Sequence, residues 1–92
     1  MEKITKIANW FIEVKAPDLK DKINAGLKML ENKEPLKDSY KELFGFMLFS
    51  YSMAHGPTSF FDMEKLAKEI SVLDEMKVYA EKWISHSKKT SV

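Results

Sequence analysis

The residues from Leu43 to Phe61, LFGFMLFSYSMAHGPTSFF, contain no Asp, Glu, Lys or Arg, in a chain that is otherwise dense with charge. A membrane-spanning helix needs about twenty continuous apolar residues. This run is cut by Gly56-Pro57, and Ser50, Ser52 and His55 dilute what remains. It reads as the most buried helix of a small core followed by a sharp corner, and no transmembrane segment is expected.

At 92 residues the chain has room for one core. It is 45% hydrophobic and 32% charged, which is too apolar and too balanced for disorder. Fifteen basic residues face fourteen acidic ones, and every basic residue is lysine. Without guanidinium forks or a basic patch, nucleic-acid binding is not expected. Without cysteine, disulfides and thiolate metal sites are excluded. The N-terminal MEKITKIANWFIEVK has Glu13 inside a periodic pattern and lacks the apolar core of a signal peptide. The expected compartment is the cytoplasm, with a place against the inner face of the membrane as a variant of it.

Four segments show helical periodicity, separated by prolines or glycines. The first runs from Glu2 to Lys15, with Ile4, Ile7, Ala8, Phe11 and Val14 on one face and Trp10 at its edge. Ala16-Pro17 stops it, and Pro17 starts the second, with Asp18 and Asp21 in its first turn. Leu19, Ile23, Gly26, Leu27 and Leu30 form that stripe, with Gly26 open to close helix approach. The third helix begins near Leu36 or Asp38 and ends at His55, its main face Leu36, Tyr40, Leu43, Phe44, Met47, Leu48 and Tyr51. Gly56-Pro57 ends it.

Ser59 is the expected cap of the fourth segment, with Asp62 at the capping-box position. Leu66, Ile70, Leu73, Ala80 and Ile84 make its stripe, interrupted by Lys77, and Phe61, Val72, Tyr79 and Trp83 make a second line. Either this segment is one helix to about Ser85, or ISVLDE breaks it with Ser71 or Asp74 capping a fifth. The expected fold is all-α, an antiparallel four-helix bundle with the last helix whole or broken in two. Residues 1–85 form the domain and residues 86–92 a polar, flexible tail.

No catalytic, cofactor or metal site is expected. His55 and His86 lack partners at metal-ligand spacing, and Asp62 and Glu69 are better read as capping and solvated residues. Ser52 and His55 stand three apart on one helix, but helix-interior amides offer no oxyanion donors. Three isolated glycines make no phosphate loop. MEKLAKEISVLDEMKVYAEKW has the outline of a helix-turn-helix, yet Asp74, Glu75 and Glu81 would repel phosphates.

Phe46, Phe49 and Met53 form a second apolar line on the third helix. Either that helix is buried on two sides, or the line is a surface for a protein partner, a second copy or a membrane face. Trp83, followed by Lys88 and Lys89, has the make-up of an interfacial anchor.

The order of segments, MEKITKIANWFIEVK, DLKDKINAGLKMLENK, LFGFMLFSYSMA and TSFFDMEKLAKEISVLDEM, resembles the immunity proteins of pediocin-like bacteriocins, the enterocin A type in particular. The resemblance implies a small cytoplasmic antiparallel four-helix bundle that protects a Gram-positive producer from its own bacteriocin. Such proteins recognise a membrane-embedded mannose phosphotransferase permease with its bound bacteriocin, and their C-terminal half sets specificity. The contact residues it implies here are Trp83, His86, Lys88 and Lys89, joined by Phe46, Phe49 and Met53 where these are exposed.

Overall fold

The computed structural model describes the backbone of residues 2–90 and the side chains of residues 2–56 and 58–82. They form α1 (Glu2–Val14), a 3-10 turn (Pro17–Leu19), α2 (Lys20–Glu31), α3 (Asp38–His55), α4 (Pro57–Glu69) and α5 (Leu73–Thr90), with no strand among the described residues. The class is all-α, as expected, with five helices because the last segment is broken. No helix of the described residues is long and apolar enough to cross a membrane.

α3 packs against every other helix. Its Phe44, Met47 and Leu48 are wholly buried among Ile4, Ile7, Ala8 and Phe11 of α1, Ile23 of α2, Met63 and Ala67 of α4, and Met76 of α5. Each of the larger side chains contributes about 1.5–3 kcal/mol on leaving water. The uncharged run is therefore the centre of the core and the corner beyond it. Val14, expected on the buried face of α1, is 57% exposed. α1 ends on it, and the chain turns so that Ala16 is buried instead. A side chain at Gly26 would begin 2.5 Å from the Phe44 ring, so α2 approaches α3 closely there.

Two helices end in the same way. Lys33 and Ser71 both have positive φ, 59° and 61°. The Lys33 and Glu34 amides donate to Leu30 and Met29 carbonyls, and the Ser71 and Val72 amides to Lys68 and Ala67. This is the Schellman pattern, with lysine and serine in the left-handed position that glycine usually holds. The apolar contact that accompanies it pairs Val72 with Ala67, both without exposed surface.

The start of α4 differs from expectation. Gly56 caps the end of α3 and precedes the first residue of α4, Pro57, at φ 94° and ψ 175°, a conformation open essentially to glycine alone. α4 thus starts earlier than Ser59. The Ser59 hydroxyl donates back to the His55 carbonyl at 3.3 Å, and Asp62 is exposed, away from a capping box.

The break at Ile70–Val72 changes which residues are buried. Met63 and Ala67 line α4, and Val72 and Met76 line α5, while Leu66, Ile70, Leu73 and Ala80 flank them. In one continuous helix Ala67 and Met76 would face opposite ways, since nine residues turn through about 900°. The left-handed residue resets the phase, and Lys77 then lies exposed beside the line instead of interrupting it. α5 runs on to Thr90, past the expected end near Ser85.

α5 meets α3 at Gly45, where a Cβ would stand 2.8 Å from Glu75 Cβ and 2.9 Å from the Met76 amide nitrogen. The obstacle is backbone, which cannot rotate aside. Gly45→Ala is expected to cost about 1–3 kcal/mol, read as a fall in the denaturation midpoint. Ser71→Gly should raise stability by about 0.5–1 kcal/mol by removing the left-handed penalty, less glycine's greater freedom when unfolded. A rise of a few degrees in Tm would register it.

Candidate functional site

Spacings of four, four, three and four put Asp38, Glu42, Phe46, Phe49 and Met53 on one line of α3, opposite Phe44 and Leu48. The burial of Phe46, Phe49 and Met53 differs residue by residue. Phe49 is half-buried and packs against the core. Phe46 is 40% exposed and Met53 45% exposed.

Phe46 is nevertheless held. Its ring stands edge-on to Phe11 of α1 at 5.9 Å and tilted against Tyr79 of α5 at 5.1 Å. One aromatic row thus crosses α1, α3 and α5, with Phe11 buried at one end and Tyr79 half-buried at the other. Val78, beside Tyr79, is 46% exposed. Val78 lies outside the stripes that periodicity picks out in the sequence. The signal for it is its place between Asp74 and Lys82 at intervals of four, legible once the phase of α5 is taken from Val72.

The Ser52–His55 pair is not assembled. Ser52 is buried and its hydroxyl donates to the Phe49 carbonyl at 2.7 Å. His55 Nδ1 lies 2.9 Å from the Tyr51 carbonyl. A carbonyl only accepts, so Nδ1 carries the proton in that bond. The His55 ring stacks on Tyr51 at 4.0 Å, and Trp10 meets both edge-on. These groups close the joint between α1 and the end of α3. Among the described residues no three His, Asp or Glu side chains are placed to hold a metal ion.

Of the remaining candidates, Trp83, His86, Lys88 and Lys89 belong to α5, and their side chains lie outside the described residues. The structure joins Phe46 to Tyr79 across helices, places Met53 about two turns further along α3, and gives Phe49 to the core. No family model matches the chain, and no curated protein or solved structure is significantly similar to it.

The division of α3 into a core side and an outer side has a direct check. Phe44→Ala should cost about 3–5 kcal/mol. Met53→Ser should cost under about 1 kcal/mol. Equal losses in urea unfolding would place Met53 in the core.

Proposed function

We propose that the protein works by binding another protein, and that its role is immunity to a pediocin-like bacteriocin. The observation supporting the binding half is the exposure of Phe46 and Met53 on the helix that packs against all four others. Large apolar side chains grouped at a surface mark interaction sites more often than chance.

The immunity half rests on the resemblance in segment order. In this reading α4 and α5 together take the place of the fourth helix of an antiparallel four-helix bundle, broken at Ser71, and both pack on α3. The protein sits in the cytoplasm beneath a membrane-embedded sugar permease with bound bacteriocin. There it locks the receptor against pore opening, with no chemistry of its own. Trp83, His86, Lys88 and Lys89 supply contacts near the membrane, and the outer face of α3 supplies the rest.

The same exposed residues support a second reading: a small helical adaptor or inhibitor, of the kind phages encode, that grips a host protein through Phe46 and Met53. A second copy on that face would make it a homodimer, visible as concentration-dependent sedimentation.

The deciding experiment is protection. The protein is expressed inside a sensitive strain and a panel of pediocin-like bacteriocins is titrated. A large rise in the lethal dose of one peptide, lost on truncation after Ile84, is the expected result. No protection across the panel by folded protein would overturn immunity in favour of the adaptor.

A further inference from the structure

The outer face of α3 does not end at its apolar residues. Beside Phe46 and Tyr79 an open groove of about 480 Å³ runs between the start of α3 and the first turns of α5. Asp38 and Glu42 line it from α3, and Asp74 and Glu75 from α5, with Val78 and Tyr79 between them. Among the described residues the one cation of the groove is Lys82, whose Nζ lies 5.6 Å from the centre of the Tyr79 ring. Four carboxylates among the described residues therefore face one ammonium here, in a chain whose net charge is +1.

We propose that this face docks a cationic amphipathic helix of a partner protein. Its apolar side would lie on Phe46, Val78, Tyr79 and Met53, and its lysines or arginines along the carboxylates of Asp38, Glu42, Asp74 and Glu75. The inference rests on the protein-binding reading above and not on the immunity assignment.

Three observations select this occupant. The apolar line supplies buried area, and helix-in-groove recognition uses such a line. The acidic rim supplies charge complementarity, which sets partner choice and encounter rate. Lys82 over Tyr79 shows that the aromatic floor already accepts an ammonium on its face. From Asp38 to Met53 the line is about 22 Å long, enough for about fifteen helical residues of a partner.

The other occupants fit worse. An anionic lipid surface would meet four carboxylates. A second copy, related by a two-fold axis through Phe46, would set those carboxylates against Met53 or against each other, and unpaired charge at an interface is costly.

The test uses a fluorescent peptide of about fifteen residues, with leucine and lysine at amphipathic helical spacing, and a twin with glutamate at each lysine. Binding to the whole chain is read by anisotropy, and the bound face by amide NMR shifts. The lysine peptide should bind at least about tenfold more tightly than the glutamate twin, and more weakly as salt rises. The double variant Glu42→Lys/Asp74→Lys replaces two exposed residues and gives up a favourable charge at the start of α5. It should stay folded with a Tm lower by no more than a few degrees, while weakening binding about tenfold or more. The control Glu2→Lys/Glu31→Lys, on a different groove, should bind as the parent does.

Equal binding of the two peptides, equal losses in the two double variants, or shifts away from α3 and α5 would overturn the proposal. The same variants in the protection assay separate the two readings. Full protection by Glu42→Lys/Asp74→Lys would leave immunity standing and overturn the groove as its contact. Peptide binding without protection by the parent would do the reverse.

Discussion

The backbone of α5 crosses α3 at Gly45, close enough that the Glu75 and Met76 backbone occupies the space of a side chain. That contact sets the depth to which Met76 sinks, and with it the enclosure of Phe44, Met47 and Leu48 from the side that α1 and α2 leave open. It depends in turn on the reversal at Ser71. Only after a left-handed residue does the chain re-enter a helix with Val72 and Met76 turned toward α3. Side-chain absence at one position and backbone handedness at another together carry the packing of the C-terminal third.

Much of this was legible in the order of residues. The stripes of α1 and α3, the stops at Pro17 and Gly56, and the close approach at Gly26 follow from periodicity and steric rules. The break was legible as an anomaly: Lys77 in an apolar stripe means that the stripe belongs to two helices out of phase. Which of the two readings held could not be settled locally, because the left-handed site carries serine and not glycine. Ser59 was misread because a capping sequence competes with a proline two positions earlier that is already suited to the first turn. Val14 was misread because a helical pattern does not say where the covering neighbours end.

The candidate surface was half legible. Spacing alone put Phe46, Phe49 and Met53 on one line, but exposure is a property of what lies opposite, and Phe49 packs against the core where Phe46 and Met53 stay open. The acidic rim was invisible for a related reason. Asp38 and Asp74 are far apart in sequence, and each reads by itself as a favourable charge at a helix start. Only the crossing at Gly45 brings the two helix starts together, so a local stabilising habit becomes a shared electrostatic feature. Fold and surface thus share one origin, the close passage of α5 over α3 at Gly45.

The methionines are divided by burial in a way that matters for redox chemistry. Met47, Met63 and Met76 have almost no exposed surface, and Met29 is half-buried, whereas Met53 stands open to solvent on the outer side of α3. Conversion to the sulfoxide follows access, and it turns an apolar side chain into a polar one. Among the described methionines an oxidant would therefore reach the outer side of α3 before the core. A cell under peroxide stress would hold a protein that is still folded but whose apolar face has been blunted, and a sulfoxide reductase would restore it.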